Sequence, residues 1–375
     1  MFDVPYGLSY FPTIRREGLV FVDKSRYIRS LETGARAFSV FLRPRRFGKS
    51  TLLSMLEHYY EKKQAQHFDA LFGGLDIGRA PTPERNSYRT LRLEFTGVNT
   101  DGTLEDCMRS VYNNLCVVVN SFCTAHQDTI PGLVGLARDL RFSQYPAELM
   151  ARLLGIVHDA GEQIYLLVDE YDNFTNALIG RGREALYLQL THDGGFLREL
   201  YKSFKAGMAT GAIGRIFLTG VSPITLDDIT SGANIFTNLS VEDDLSAMVG
   251  FTQAEVEPLL DRALREGGYT LDRAAVLADM KRFYDGYRFS RRAPEPVYNP
   301  DMVLYFLMNL RPPSYYPDEI IDNNVRIDYG RLRSLIFDPS GQPREGAVRT
   351  VRAALETQAI DTQIHESFPL QRAYD

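Results

Sequence analysis

The run "FLRPRRFGKST", residues 41–51, gathers side chains that could hold a phosphate. Gly48, Lys49 and Ser50 match the end of the pattern G-x-x-x-x-G-K-[ST], and Thr51 follows it. In that pattern the lysine reaches the outer phosphates of a nucleotide and the next hydroxyl joins a magnesium shell. The head of the pattern does not match, because Arg43 stands where glycine would serve turn geometry and close approach. Arg43, Arg45 and Arg46 could meet phosphate themselves, since a guanidinium presents a planar fork of donors, and Phe47 lies in the same turn. On this stretch alone two readings stay open, a nucleotide site and a solvated basic turn. Residues 36–49 hold five basic side chains and no acid.

A second group of side chains narrows the choice. "IYLLVDEYD", residues 164–172, is an apolar run that stops on acids. Asp169 could hold a metal-bound water and Glu170 could act as the neighbouring base. Acids also end apolar strands at the exposed edges of sheets, where they simply face water. "LTGVSPIT", residues 218–225, follows with Thr219, a hydroxyl able to sense an outer phosphate or position water. The three groups in this order favour nucleotide binding over the solvated turn.

A phosphate loop needs a strand ahead of it and, behind it, a helix whose N-terminus faces the anion. Both are predicted. "AFSVFL" (37–42) reads as a buried strand, and Leu52, Leu53, Leu56, Tyr59 and Tyr60 recur at helical spacing after it. "FVDKSRYIRSLE" reads as a short helix with Asp23 as its cap. The Gly- and Pro-rich residues 67–87 are expected to form a loop, followed by a strand at 90–95. Helices are expected around 102–124 and 146–160, and again in "REALYLQL" and "GFLRELYKSFKAGM". Strands at 163–172 and 214–225 complete an alternation that predicts an α/β parallel sheet with helices on both faces. Ligands of such sheets sit at the carboxyl ends of the strands. After about residue 245 the pattern becomes helical, with a capping box at Thr252 and Glu255 and a cap at Asn299 before Pro300.

Composition bounds the rest. The 375 residues carry a net charge of −6, so no global basic field draws the chain to nucleic acid. Cys107, Cys116 and Cys123 are odd in number, fall on one predicted helix and match no metal or redox spacing, which fits reduced thiols in a reducing compartment. The opening lacks a basic, apolar leader, and no stretch has the apolar length of a membrane span. An intracellular protein, most simply cytoplasmic and without a membrane partner, is expected.

"FVDKSRYI", "FLRPRRFGKST", "LLVDEYD", "LTGVSPIT" and "YDGYRF…VYNP" together resemble the successive signatures of the predicted AAA-ATPase-like family, over about residues 5–305. In that family an arginine-proline-arginine head replaces the loop glycine, so Arg43 looks like a family trait. The resemblance implies a P-loop NTPase-like domain over 1–245, a smaller helical lid-like domain over 246–312 and an irregular segment over 313–375. It implies ATP and Mg²⁺ as ligands, with Lys49 and Ser50 as phosphate and magnesium contacts. Asp169 then resembles the metal-shell acid, Glu170 the catalytic base and Thr219 the polar sensor. Arg215, Arg288 or an arginine supplied in trans could neutralise the outer phosphate. Tyr171 and Asp172 belong to the signature without an assigned role.

ATP hydrolysis coupled to a protein partner or to self-association is the expected function. The alternatives are a nucleotide-dependent switch without significant hydrolysis and an ATPase subunit serving a nuclease, with nucleic acid engaged only indirectly. Members of the family often carry a PD-(D/E)XK nuclease domain, whose site needs acids and a lysine two residues after the second acid. Lys281 is the final lysine of this sequence, so acids such as Asp318 and Glu319 have no such lysine after them. The chain is therefore expected not to cleave DNA by itself.

Overall fold

Apolar runs alternating with amphipathic segments fold into parallel strands joined through helices in a computed structural model of the chain. It describes residues 3–140, 145–192, 194–230, 236–310 and, further on, 316, 317, 319, 320, 336, 337 and 341–357. Five strands form a parallel sheet: β1 (Phe38–Leu42), β2 (Arg89–Glu94), β3 (Ile164–Asp169), β4 (Ile213–Gly220) and β5 (Thr237–Asn238). Every residue of β3 is buried, which is why its sequence is an unbroken apolar run rather than an alternation. The α/β fold class read from the sequence is the fold observed.

The chain divides into two compact units, Met1–Thr90 with Thr237–Arg326, and Leu91–Phe236 with Ile327–Asp375. In the first, β1 pairs with β5, Ser39 opposite Thr237 and Val40 opposite Asn238. Its helices Gln253–Gly267, Arg273–Tyr284 and Pro300–Met308 enclose Val256, Leu260, Val276, Met280, Val303 and Phe306. The first and third of these helices start as the sequence predicts. Glu255 accepts from Thr252 N at 2.9 Å, and the Asn299 side chain accepts from Asp301 N at 3.0 Å beside Pro300.

The expected loop over 67–87 holds short helices in its first half and stays irregular over 80–87. A 3₁₀ turn at Lys62–His67 leads into short helices at Phe68–Phe72 and Asp76–Arg79. Elements of four or five residues are not stable alone; this last one is held from a distance. Asp76 N donates to Asp23 Oδ2 at 2.7 Å and Ile77 N to Ser25 Oγ at 3.1 Å. Asp23 thus caps the remote helix, while helix Tyr27–Leu31, which it was expected to cap, has no side-chain cap. Between them Lys24 Nζ reaches Ala247 O at 3.0 Å and the capping-box acid Glu255 at 2.6 Å. The "DKS" of the first signature is therefore a clip joining three segments.

In the second unit β3 pairs with β4, Leu166 opposite Ile216 and Val168 opposite Leu218, and β2 flanks β3. Helices Pro146–Asp159 and Phe196–Thr210 pack closely, since a Cβ on Gly207 would stand 2.8 Å from Leu154 Cδ1. Helix Leu104–His126 carries all three cysteines as free thiols, and burial pushes the Cys123 thiol up to about 11. Among the described residues no helix is long and apolar enough to cross a membrane, and no group of three or more His, Cys, Asp or Glu is placed to hold a metal ion. A further helix covers Glu345–Thr357. Asp318 lies outside the described residues.

Candidate nucleotide site

The basic turn runs from the end of β1 to the start of helix Lys49–Tyr60. Two of its residues have left-handed backbone, Arg46 with φ 67° and Gly48 with φ 88°. Left-handed residues within a turn swing amides to one side and make a concave seat for an anion. Glycine takes that backbone without strain, whereas arginine at 46 does so at a cost of about 1–2 kcal/mol. Gly48 is the N-cap residue, and the helix has no side-chain cap. The positive end of its dipole is therefore not taken up by a capping side chain. Lys49 is 6% exposed, and its Nζ donates to the carbonyls of Arg43 and Pro44, both at 2.9 Å. Ser50 and Thr51 are half-buried on the first turn, Arg45 is exposed, and Arg46 lies 3.6 Å from Asp301. The donors and backbone of this turn fit a nucleotide's phosphates.

Arg43 does something glycine could not. Its side chain is 2% exposed and turns inward, with Nη1 donating to Leu42 O at 2.8 Å and Ser240 O at 2.7 Å. The guanidinium lies between two rings, 4.2 Å from the centroid of Phe41 and 4.1 Å from that of Phe289. Burial pulls its pKa down to about 9, which leaves it a cation at neutral pH. Arg43 thereby ties the head of the turn to the segment after β5.

The "YDGYRF…VYNP" signature supplies the other half of this clamp. Its residues form a small antiparallel arrangement in which Tyr287 bridges Val297 and Phe251 bridges Tyr298. Gly286, just ahead of Tyr287, has φ 106°, a backbone that glycine takes without strain. Phe47 is buried and packs edge-on against Tyr287 at 4.8 Å and Phe289 at 5.4 Å. Arg288 is exposed and donates to Ala293 O at 2.8 Å.

The acids form a second cluster, in the other unit. Asp169 ends β3 and is 1% exposed. Its Oδ2 accepts from Arg92 of β2 at 2.9 Å, and its Oδ1 accepts from Thr219 of β4 at 2.9 Å. Glu170 has φ 48°, left-handed for a residue with a long side chain, and its Oε2 accepts from Thr96 Oγ1 at 3.1 Å. The next two residues lock that backbone. Tyr171 N donates to Thr219 O at 3.0 Å and its hydroxyl donates to Ser222 O. The Asp172 carboxylate accepts from Ser222 N at 2.6 Å, Val221 N and Asn176 Nδ2. Burial raises the Asp172 pKa, against these bonds, which lower it. "DEYD" and "TGVS" therefore interlock, and Tyr171 and Asp172 gain the role that sequence could not assign.

Arg43 to Thr51 thus come together in one turn, and Asp169, Glu170 and Thr219 in one cluster. Arg215 is buried opposite Tyr165, four residues ahead of Thr219, so its Cα lies roughly 13 Å back along β4. Sequence reasoning missed Arg92, Thr96 and the clamp residue Phe289. For Arg92 the signal was present in the alternation of "RTLRLE", which places Leu91 and Leu93 on the buried face and Arg92 on the other.

A parallel α/β sheet, a basic turn entering a helix and an acid-tipped strand are the features of an ATPase-like protein. The chain belongs to the family described as Predicted AAA-ATPase, whose model matches residues 5–230. It is 29% identical over 312 residues to an uncharacterized protein from the vnfD 5′ region of Azotobacter chroococcum mcd 1, a match covering 81% of this chain and 51% of that one. The chain thus spans about half the length of that curated relative. Among solved structures, the Walker-type ATPase PABY2304 of Pyrococcus abyssi aligns with a TM-score of 0.41 and 14% identity, over 76% of this chain and 65% of that chain.

Proposed function

We propose that the chain binds ATP through residues 43–51 and hydrolyses it with Mg²⁺, passing the difference between nucleotide states to a protein partner or a second copy of itself. The observation that carries this reading is Lys49, whose Nζ is held on two carbonyls of its own turn at an uncapped helix N-terminus. A buried ammonium gains more from phosphate oxygens than from carbonyl acceptors such as these. Arg45 and Arg46 add charge at the rim, and Arg43 holds the head of the turn in place.

Ser50 and Asp169 are the side chains suited to a magnesium shell. Mg²⁺ would supply neutralisation of the charge on the outer phosphates. Glu170 would orient or deprotonate the attacking water, and Thr219 keeps the Asp169 carboxylate aligned. Catalysis on this reading is positioning and charge neutralisation, and turnover is slow without an arginine supplied by a partner. An intracellular, cytoplasmic setting belongs to the same proposal.

The test is ATP binding and phosphate release by the purified chain, with and without DNA. Lys49→Ala should lose tight Mg²⁺–ATP binding; binding equal to the parent's would sink the loop assignment. Glu170→Gln should keep binding and lose turnover by on the order of a hundredfold. A switch without hydrolysis is the second reading, favoured by the Asp169 carboxylate having both oxygens engaged by Arg92 and Thr219. Intact binding with no turnover in the parent chain would select it.

A further inference from the structure

We infer that Arg92 is a positioning residue that sets how readily Asp169 becomes available to the metal, by competing for the same carboxylate. The inference rests on the reading of Asp169 as the metal-shell acid. Asp169 is 1% exposed, so its negative charge is almost wholly withdrawn from water. A carboxylate so buried must be neutralised or directed by donors, and here each oxygen has one, Arg92 on Oδ2 and Thr219 on Oδ1.

The two donors differ in kind. Thr219 is neutral, and its hydroxyl can stay on the carboxylate while the remaining lone pairs accept from a metal-bound water. Arg92 is a cation, and it opposes a second cation at the same oxygens. The Arg92 side chain is 21% exposed against 2% for that of Asp169, and it stands on the less buried face of β2. That exposure lowers the arginine's own desolvation cost, whether it stays on the acid or leaves it. An arginine with access to solvent can withdraw and leave the acid to the metal. The pair then keeps a buried charge satisfied when no metal is bound, and it raises the magnesium concentration needed to fill the shell.

The test titrates Mg²⁺ into the purified full-length chain with a fluorescent ATP analogue and reads nucleotide binding rather than turnover. Arg92→Gln should lower the half-saturating Mg²⁺ by about tenfold, as expected for removing one charge-assisted competitor. Its affinity for the analogue in EDTA should stay at the parent's value. Arg92→Lys keeps a cation with a shorter reach, so its half-saturation should fall between the two. A half-saturation in Arg92→Gln equal to or above the parent's overturns the inference. Should that variant fail to fold, Arg92→Lys decides by the same criterion.

Two controls separate this inference from the reading beneath it. Asp169→Asn should weaken the magnesium dependence; if it leaves the parent's half-saturation untouched, the assignment of Asp169 falls and the inference with it. Lys49→Ala tests the phosphate turn on its own: lost binding in EDTA and Mg²⁺ alike is expected, and binding equal to the parent's overturns both.

Discussion

Glu170 carries the proposed base on left-handed backbone, where a side chain with a Cβ costs about 1–2 kcal/mol. The strain persists because Tyr171 and Asp172 are fixed on the residues that follow β4. Replacing Glu170 by glycine should remove the strain and the base together. We expect Glu170→Gly to be as stable as the parent or more so, by up to about 1 kcal/mol in urea unfolding, and to have no measurable turnover. A loss of more than about 1 kcal/mol would show that the bond to Thr96 outweighs the backbone term. Gly220 is constrained in the opposite way. An added Cβ would stand 2.5 Å from both Asp172 Oδ1 and Tyr171 Cε1. Neither neighbour can retreat, so Gly220→Ala should destabilise by about 1–3 kcal/mol. Unchanged thermal stability would mean the two signatures interlock less tightly than their distances indicate.

At the scale of elements, the basic turn of residues 43–49 is held by the aromatic arrangement around residues 283–298. Phe289 stacks on the Arg43 guanidinium and packs against Phe47, so it supports both ends of the turn. Phe289→Ala should cost about 1.5–3 kcal/mol of stability and weaken ATP binding, although the residue has no proposed contact with nucleotide. Binding at the parent's affinity in a folded Phe289→Ala would remove the clamp from the argument. The same clamp shows why the sequence was legible in part. The strand, turn and helix around Lys49 are local patterns, and so are the apolar runs of β3 and β4. Arg43 could be recognised as a departure from the phosphate-loop pattern. Its task could not be read, because its acceptor Ser240 lies 197 residues away. Helix Asp76–Arg79 escaped for the same reason, since its supports are the side chains of Asp23 and Ser25. Local periodicity records which face is buried and says nothing of which distant carbonyl or carboxylate completes a hydrogen bond.

At the scale of the molecule, the unit that contains the basic turn is assembled from two stretches of chain, Met1–Thr90 and Thr237–Arg326. Hydrogen bonds join the stretches close to the turn. Leu239 N donates to Val40 O at 2.9 Å, Gly250 N approaches Phe47 O at 3.4 Å, and Arg43 holds Ser240 O. A ligand seated on residues 43–51 must therefore stabilise the second stretch as well as the first. At a hundred times its dissociation constant, Mg²⁺–ATP should stabilise this unit by about 2.7 kcal/mol, provided that it binds only the folded state. Opening free energies rise by the same amount, so amide exchange should slow by roughly a hundredfold wherever exchange needs this unit to open. We expect that slowing at Leu239 and Gly250 as well as along helix Lys49–Tyr60, read by hydrogen exchange with and without Mg²⁺–ATP. The Lys49→Ala chain should show no such slowing at any of these positions. Protection confined to the first turn of the helix, with Leu239 and Gly250 exchanging as before, would mean that the nucleotide is felt only where it sits and that the Arg43 clamp transmits nothing.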